Sequence, residues 1–354
     1  MVKFDPALLN WCISEDFSGI NHAVGKKWEA LDRAKIFVTG GTGFIGTWLL
    51  ESFCYAASKS AYKFNITVLS RNPEAFIRTR PHLARWEGLR VIAGNVGDFN
   101  FPDGHFDYCI HAATDASAAL NRDNPRQMFE TILGGTRRVL DFALDKKIKH
   151  MLMLSSGAVY GQQPWSMERV AEDWQGGPDC TNAVNTYAEA KRGAEMLCAI
   201  YQKQFGLNIS VARIFALLGP YLPLDTHFAA GNFIQNGLKS EDIIVRSDGR
   251  PCRSYLYAAD LVVALLHMLT SDEQNGTYNL GSEHSVSIAE LAQTVAKIMQ
   301  GNYRILNEID SGWNAGRYVP DMSKFNTKFG EIEKTTLEEA IIRTALWNGW
   351  QPAI

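Results

Sequence analysis

The sequence has no large excess of charge of either sign and no long apolar run. Its 35 Lys and Arg residues nearly balance 38 Asp and Glu residues, which leaves a net charge of −3 at pH 7. This balance gives no electrostatic reason to expect binding to nucleic acid or to an acidic membrane. No uncharged run reaches the roughly 20 residues that a membrane-spanning helix needs. An anionic ligand would therefore have to be held by a local site.

Cysteine is scarce and scattered. The chain has six cysteines in 354 residues, and no two of them form a C-x-x-C pair. This pattern indicates neither a zinc site nor a dense disulfide framework, and the eight histidines show no H-E-x-x-H spacing, so we predict no metal ion. The first residues contain no apolar segment followed by a small-residue cleavage site. We therefore expect a cytoplasmic protein with reduced thiols.

What the sequence does contain is an alternation of short apolar runs with amphipathic segments. Hydrophobic residues make up 46% of the chain, enough for a sizeable core. The two clearest helical patterns span residues 125–147 and 186–204. The candidate strands span residues 35–40, 65–70, 89–94, 108–113, 150–156 and 209–215. Buried strands that alternate with helices predict an α/β fold with a Rossmann-like doubly wound parallel sheet.

The alternation ends near residue 220. Residues 35–220 are predicted to form a nucleotide-binding domain. Residues 221–354 are predicted to form a smaller mixed α/β region that mainly binds substrate, with chain segments that can cross back to the first domain. In that region Ser287 and Glu290 form a capping-box signature for a helix. Residues 1–34 precede the first strand, and a dimer arm, a flap over the nucleotide and simple packing all stay open for them.

A glycine-rich turn, TGGTGFIG at residues 39–46, follows the first strand and opens a helix. Its G-x-x-G-x-x-G spacing is one residue wider at the first gap than the usual dinucleotide fingerprint. Glycines at such a turn let backbone N–H groups approach a pyrophosphate at the helix N-terminus. The alternative is a strand-to-helix turn without a ligand. The cofactor contacts predicted here are Gly40, Thr42, Gly43, Phe44, Ile45 and Gly46.

The second candidate strand ends in Ser70 and Arg71, where an NAD-binding protein is expected to carry an Asp or Glu for the ribose. A guanidinium and a hydroxyl suit a 2′-phosphate, which a carboxylate would repel. This favours NADP(H) as the cofactor, with NAD(H) as the alternative. Arg71 as an ordinary exposed charge is the other interpretation.

Tyr187 and Lys191 stand four residues apart on a predicted helix, so their side chains share a face. A tyrosine has an ordinary pKa of about 10, and a neighbouring ammonium favours its phenolate form. The pair would then be a usable proton shuttle. On spacing alone, a chance pair on a helix surface is the alternative.

These features occur in a longer ordered series of motifs. The series consists of TGGTGFIG (39–46), HAAT (111–114), SSGAVYG (155–161), YAEAK (187–191), RIFALLGP (213–220), RSYLYAADL (253–261), YNLGS (278–282) and RYVPDMSKF (317–325). With it the sequence resembles the extended short-chain dehydrogenase/reductase family, which comprises nucleotide-sugar epimerases, dehydratases and reductases. The resemblance covers most of the chain from residue 35 onward.

The resemblance implies roles for single residues. Ser156 would hydrogen-bond the reacting sugar oxygen, and Tyr187 would be the acid/base at that oxygen. Lys191 would bind the nicotinamide ribose and tune Tyr187, while Asn95 and Val96 would line the adenine. It also implies a homodimer, in which the helices at 125–147 and 186–204 pair with those of a second copy.

Further contacts are implied for the HAAT motif and the C-terminal region. Ala112 and Ala113 would contact the cofactor. The implied substrate contacts are Thr114, Asp115, Ser156, Gly157, Ala158, Asn232, Arg253 and Arg317. Arg253 and Arg317 would hold the diphosphate, for which the guanidinium fork is suited. The sequence departs from the family pattern at Ile132 and Ala216, where the family often carries Asn.

Gly157 and Ala158 bear on the reaction. In the 4,6-dehydratases of this family these positions are typically Asp and Glu, and general acid/base chemistry needs a titratable group close to the proton. Dehydration is therefore disfavoured unless another carboxylate such as Asp115 takes part, and the small pair is expected to leave room for a sugar ring. We predict an oxidoreductase acting at C4 of a nucleotide-linked sugar, favoured as an NADPH-dependent 4-ketoreductase. The alternatives are a 4-epimerase, a 4,6-dehydratase and a catalytically silent NADP-binding sensor or scaffold.

Overall fold

Seven parallel strands form the central sheet of the computed structural model, which describes residues 10–114, 118–225, 228–271, 275–308 and 315–352. The strands are β1 (Lys35–Thr39), β2 (Asn65–Ser70), β3 (Leu89–Ala93), β4 (Tyr108–His111), β5 (His150–Ser156), β6 (Ile209–Ile214) and β7 (Gly276–Leu280). Their order across the sheet is β3-β2-β1-β4-β5-β6-β7. The predicted Rossmann-like, doubly wound α/β fold is confirmed.

The strand order reverses between β1 and β4. From β1 the chain builds β2 and β3 on one side and then returns to place β4 on the other, with Thr39 opposite His111. Ligands of open α/β sheets bind at such a reversal, outside the carboxyl ends of the strands. Every residue of β5 is buried, as expected for a strand covered on both faces.

Helices cover both faces of this sheet. Their bounds are Phe44–Lys59, Pro73–Thr79, Pro81–Arg85, Ala118–Asp123, Pro125–Asp145, Thr186–Phe205 and Ala258–Leu269. The two strongest predicted helices occur nearly as expected. The first begins at Pro125, where the Asn124 side chain accepts from the N–H of Gln127, and the second ends before Gly206 with its left-handed φ of 70°.

The chain beyond residue 220 adds short strands and further helices. Those strands are Ile243–Val245, Cys252–Arg253, Leu256–Tyr257, Val286–Ser287, Tyr303–Ile305 and Arg317–Tyr318, and the helices are Ala229–Leu238, Ile288–Met299, Ser323–Phe329 and Leu337–Trp347. The predicted capping box is present, since Ser287 Oγ accepts from the N–H of Glu290 at 3.1 Å. The chain returns to the central sheet at β7, which pairs with β6.

The N-terminal extension, as far as residues 10–34 show it, packs against the body of the protein. Its helix Ile13–Val24 places Phe17 5.3 Å from the ring of Trp48. Asp16 is buried and accepts hydrogen bonds from Tyr257 at 2.6 Å and Arg343 at 2.7 Å. Of the three roles left open for this segment, these contacts support packing.

Membrane-spanning helices and grouped metal ligands are both absent from the described residues. No helix within them combines the length and the apolar character that crossing a membrane requires. In the same part of the chain, no three His, Cys, Asp or Glu side chains are grouped so as to hold a metal ion.

Candidate active site

The turn after β1 is built so that its backbone lies against the loop after β4. Gly40 has a φ of +72°, and a Cβ atom there would lie 2.4 Å from the carbonyl carbon of Ala112. A Cβ at Gly46 would lie 2.2 Å from the carbonyl oxygen of Gly40. Only glycine meets both demands. The predicted cofactor residues Gly40, Gly46, Ala112 and Ala113 are therefore brought together.

The helix that follows this turn presents its N-terminus at the same edge of the sheet. Gly43 is its N-cap and no side chain caps it, while Thr42 and Gly43 are exposed and Phe44 and Ile45 are half-buried. The first N–H groups of any α-helix have no acceptor within the helix, and the helix dipole favours negative charge there. The turn thus fits a dinucleotide pyrophosphate.

A buried histidine fixes the framework beneath this turn. His111 Nδ1 lies 2.7 Å from Thr39 Oγ1, and His111 Nε2 lies 3.1 Å from Thr136 Oγ1. Thr39 Oγ1 also accepts from the N–H of Ala113 at 3.2 Å. Burial lowers the pKa of His111 to about 3, and the charge of Lys191 acts in the same direction. His111 is therefore uncharged at neutral pH, and its ring connects β1, β4 and helix Pro125–Asp145 by hydrogen bonds. Local sequence patterns gave it no role.

The residues predicted to contact the rest of the cofactor follow β2 and β3. Ser70 is buried and its Oγ accepts from the N–H of Asn72 at 3.2 Å, while Arg71 is exposed. Asn95 Oδ1 accepts from the N–H of Gly97 at 3.0 Å. Val96 packs against helix Pro125–Asp145, where a Cβ at Gly135 would lie 2.8 Å from Val96 Cγ1. All of them lie at the carboxyl edge of the sheet.

Ser156, Tyr187 and Lys191 come together at the end of β5. Ser156 is the last residue of that strand, and its Oγ accepts from the N–H of Ala158 at 3.1 Å. Tyr187 lies in the first turn of helix Thr186–Phe205, near enough to Ser156 for that side chain to affect its pKa. Lys191, one turn further along, donates from Nζ to the carbonyl oxygen of Leu154 at 2.8 Å. The three groups are thus held by two elements of the core.

Burial dominates the electrostatics of these groups. It raises the pKa of Tyr187, and the Ser156 hydroxyl only partly opposes this effect, so the expected shift of Tyr187 toward phenolate is not found. Burial lowers the pKa of Lys191 to about 8, and the negative charge of Glu195 opposes that effect. Glu195 is held by Ser155 Oγ at 2.6 Å and by Arg213 at 2.7 Å. A supporting carboxylate one turn beyond Lys191 was not predicted from the sequence.

The space beside Gly157 is occupied by an aromatic ring. A Cβ at Gly157 would lie 2.7 Å from Cζ of Phe215, a buried residue. The Phe215 ring thus fills the direction that a Gly157 side chain would take, and the expectation that Gly157 and Ala158 together leave room for a sugar ring stays a prediction. Gly157 is small because a side chain there would displace Phe215.

Tyr318 adds a hydroxyl to the site that sequence patterns did not single out. Its OH lies 3.4 Å from Ser156 Oγ and donates to the carbonyl oxygen of Ile214, also at 3.4 Å. Its ring lies 4.6 Å from that of Phe215, centroid to centroid. The only sequence signal was its place in the RYVPDMSKF motif, next to Arg317.

The two predicted diphosphate arginines lie on neighbouring strands. Arg253 and Arg317 are both half-buried, and Arg253 pairs in register with Tyr318. The Arg317 guanidinium stacks 4.3 Å above the ring of Trp165, and its buried Nε lacks a partner in the described structure. Neither arginine forms an ion pair with a carboxylate of the described residues, so both remain suited to an anionic ligand.

The remaining predicted residues divide into three groups. Thr114 is exposed after β4, and Asn232 is half-buried in helix Ala229–Leu238. Asp115 lies outside the described residues. Ile132, one of the two departures from the family pattern, is a buried residue of helix Pro125–Asp145, and the backbone carbonyl of Ala216 accepts from the N–H of Leu256 at 3.0 Å.

Comparison with known proteins finds a family and several relatives. Residues 36–281 match the family model of the NAD dependent epimerase/dehydratase family. UDP-glucuronic acid decarboxylase 6 of Arabidopsis thaliana is 29% identical over 311 residues, which cover 87% of this chain and 86% of that protein. UDP-glucuronic acid decarboxylase 1 of Xenopus tropicalis is 27% identical over 314 residues, which cover 88% of this chain and 72% of that protein. Among solved structures, UDP-glucuronic acid 4-epimerase of Bacillus cereus with UDP-glucuronic acid and NAD has a TM-score of 0.75 at 20% identity, covering 88% of this chain and 98% of that chain.

Proposed function

Since the chain belongs to the NAD-dependent epimerase/dehydratase family, we propose that it is an enzyme that carries out NAD(P)-dependent redox chemistry at C4 of a nucleotide-linked sugar. The observation that carries this proposal is the convergence of Ser156, Tyr187 and Lys191 at the same edge of the sheet as the Gly40 turn. The intact trio argues against a catalytically silent sensor, which would not need a buried lysine and tyrosine at this place.

Each residue of the site has a role in this proposal. The nicotinamide, when bound, supplies or accepts the hydride at C4. Tyr187 transfers the proton at the C4 oxygen, and Ser156 holds that oxygen by a hydrogen bond. Lys191 provides positive charge near the nicotinamide ribose. Arg253 and Arg317 bind the diphosphate of the sugar nucleotide, which leaves the sugar to extend toward Ser156.

The end of β2 supports a net reduction. Ser70, Arg71 and Asn72 offer hydroxyl, guanidinium and amide groups, and none of them is a carboxylate that would repel a 2′-phosphate. NADPH is the usual source of hydride for net reductions. We therefore favour a reductase of a nucleotide-linked 4-keto(-6-deoxy)hexose.

A 4-epimerase is the second candidate. The matched family is described as NAD-dependent, and the Bacillus cereus structure is of a 4-epimerase that holds NAD. The same Ser156, Tyr187 and Lys191 would serve the removal of a hydride from C4 by the bound nicotinamide and its return to the other face, with no net redox change. Such an enzyme would keep its cofactor through many turnovers.

Dehydration and decarboxylation make different demands on the site. Dehydration needs an acid and a base near C5 and C6, and Gly157 and Ala158 supply neither. Decarboxylation of a hexuronic acid needs only C4 oxidation before CO2 is lost, because the oxidised sugar is a β-keto acid. Two of the relatives are UDP-glucuronic acid decarboxylases, so UDP-glucuronic acid belongs among the substrates to be tested.

The first experiment is a titration of the purified protein with NADPH, NADP⁺, NADH and NAD⁺, together with native mass spectrometry for any retained cofactor. NADPH is expected to bind more tightly than NADH. Arg71→Ala should weaken NADPH binding by about 10-fold and leave NADH binding unchanged, because one charge-assisted hydrogen bond is lost. Arg78→Ala, which removes an exposed arginine of the next helix, is the matched control.

The outcomes separate the candidates. Exchangeable NADPH with weak NADH supports the reductase and is followed by turnover assays with dTDP-4-keto-6-deoxyglucose. Firmly retained NAD⁺ contradicts the reductase and supports the epimerase, which is then assayed with UDP-glucose and UDP-glucuronic acid. An absence of binding to all four nucleotides would contradict the proposed function altogether.

We also propose that the protein is a homodimer. Helices Pro125–Asp145 and Thr186–Phe205 leave large apolar side chains exposed, among them Phe129 (40%), Met196 (62%) and Ile200 (42%). A run of such residues on adjacent helices is typical of an interface. Light scattering should give twice the chain mass of 39.5 kDa, and Met196→Glu should give one chain mass with the fold retained.

A further inference from the structure

Tyr318 brings a third hydroxyl to the place where Ser156 and Tyr187 meet. It comes from strand Arg317–Tyr318, which is 162 residues from Ser156 along the chain. The Tyr318 OH lies 3.4 Å from Ser156 Oγ, and the backbone N–H of Ala158 also faces it. Tyr187 is close enough for its charge to affect Tyr318. None of the roles proposed above uses this hydroxyl.

The Tyr318 ring is held by packing on several sides. It stacks on Phe215 at 4.6 Å between ring centroids, and the Arg253 guanidinium lies 5.9 Å from the centroid of the Tyr318 ring. Phe215 in turn occupies the space that a Cβ at Gly157 would take. The hydroxyl is thus aimed at Ser156 by a series of contacts that runs from Gly157 through Phe215.

Tyr318 keeps its proton at neutral pH. Burial raises its pKa well above the usual range, and the nearby Tyr187 acts in the same direction, while Ser156 opposes them. The group is therefore a hydrogen-bond donor. In the structure it donates to the carbonyl oxygen of Ile214 at 3.4 Å, a distance too long for a strong bond. A better acceptor that enters the site would compete with this carbonyl.

A carbonyl or hydroxyl oxygen at C4 has two lone pairs, and Ser156 and Tyr187 are sufficient to use both. A third donor at the same place is therefore free for a neighbouring oxygen of the sugar. We propose that Tyr318 is a further catalytic residue, whose hydroxyl binds the sugar oxygen beside C4 and orients C4 for hydride transfer. This role rests on the proposed function, because it requires a sugar at Ser156.

The test compares the full-length wild-type protein with Tyr318→Phe, which removes the hydroxyl and keeps the ring on Phe215. Tyr278→Phe is the matched control, since Tyr278 is a largely buried tyrosine packed on Phe325 and Phe329. Turnover is measured with dTDP-4-keto-6-deoxyglucose, UDP-glucose and UDP-glucuronic acid. UDP binding is measured by calorimetry and Tm by thermal unfolding.

Tyr318→Phe is expected to lower kcat by about 10- to 100-fold, because misplacement of the reacting carbon is costly. UDP affinity and Tm should stay at the wild-type values, and Tyr278→Phe should match the wild type in kcat. The isotope effect with deuterated nicotinamide should rise in Tyr318→Phe, since hydride transfer becomes the slow step. A purely structural role for Tyr318 would not change that isotope effect.

Two results would overturn the assignment. One is a kcat of Tyr318→Phe within about 2-fold of wild type, which is less than the loss expected from a single hydrogen bond. The other is a parallel loss of UDP affinity and Tm, which would make Tyr318 a structural residue. If the wild type turns over none of the three sugar nucleotides, the proposed function fails and the role of Tyr318 fails with it. That case is recognised by the wild-type assay alone.

Discussion

The turn after β1 and the cluster after β5 lie at the same edge of the sheet but are built in different ways. The turn uses backbone, and its specificity comes from eight consecutive residues, 39–46, in which Gly40 and Gly46 tolerate no Cβ. The cluster uses side chains that come from separate parts of the chain, including Ser156, Tyr187 and Tyr318. The turn therefore depends on backbone conformation, and the cluster depends on the hydroxyl groups of its side chains.

This difference predicts different responses to mutation. Removal of a tyrosine hydroxyl from the cluster should slow the chemical step and leave binding and folding intact, because the ring that remains keeps its packing. Addition of a methyl group to the turn should disturb binding, because the backbone itself must move. The two sites can therefore be broken independently.

The largest expected effect is that of Tyr187→Phe. It removes the proton-transfer group at C4, so kcat should fall by about 10²- to 10⁴-fold. The affinities for the nicotinamide cofactor and for UDP should change little, since the ring stays in helix Thr186–Phe205. Steady-state kinetics and calorimetry on the same preparation measure both quantities.

Tyr201→Phe is the control for that substitution. Tyr201 lies on the same helix and hydrogen-bonds Asp141 rather than a residue of the cluster. It should retain wild-type kcat. A Tyr187→Phe enzyme with more than about a tenth of wild-type activity would contradict the proposed acid/base role, since such roles contribute at least about 100-fold.

A smaller effect, on binding instead of turnover, is expected from Gly40→Ala. The new Cβ would lie 2.4 Å from the carbonyl carbon of Ala112 and would force a side chain into a φ of +72°. Displacement of the turn should weaken nicotinamide dinucleotide binding by about 100-fold, equivalent to the cost of one strained residue. Fluorescence titration measures the affinity.

Gly104→Ala separates the two causes. Gly104 also has a positive φ, of +92°, but a Cβ there meets nothing within 4 Å. Its substitution should cost about 1 kcal/mol of stability from backbone strain and leave cofactor affinity unchanged. Equal losses of affinity in both variants would show that the close approach to Ala112 does not matter.

The sequence predicted the parts of the fold and the site that depend on local patterns. The apolar run 150–156 became β5 with the same bounds, and the glycine spacing located the turn between β1 and the helix that begins at Phe44. The Y-x-x-x-K spacing identified Tyr187 and Lys191. These features are legible because neighbouring residues specify them through periodicity and backbone conformation.

The parts that escaped prediction depend on contacts between distant residues. From the sequence, Gly157 mattered because it stands where dehydratases carry a carboxylate. In the structure, its lack of a side chain makes space for the ring of Phe215. Tyr318 reaches Ser156 across 162 residues, and Arg343 reaches Asp16 across 327. No local pattern encodes such a contact, because it is set by how separate elements pack.

The smallest expected effect lies at the opposite edge of the sheet, where Asp107 joins the amino ends of β1 and β4. Burial alone would raise its pKa, yet hydrogen bonds from Lys149 at 2.8 Å, from the N–H of Lys35 at 2.9 Å and from His105 at 3.2 Å lower it to about 2. Because the pKa is lower in the folded protein, ionised Asp107 stabilises the fold at neutral pH. That stabilisation is present above the unfolded pKa of about 4 and is lost as the pH falls toward 2.

Asp107→Asn should therefore lower the free energy of unfolding by about 1–2 kcal/mol at pH 7. The difference from wild type should shrink between pH 4 and pH 3, as urea unfolding at these three pH values can measure. Turnover at pH 7 should be unchanged, because this edge contributes no group to the turn or the cluster. Asp103→Asn, which alters an exposed aspartate nearby, should change neither quantity. A stability difference that stays constant with pH would instead assign the effect of Asp107 to its packing, because only the ionised carboxylate is lost on acidification.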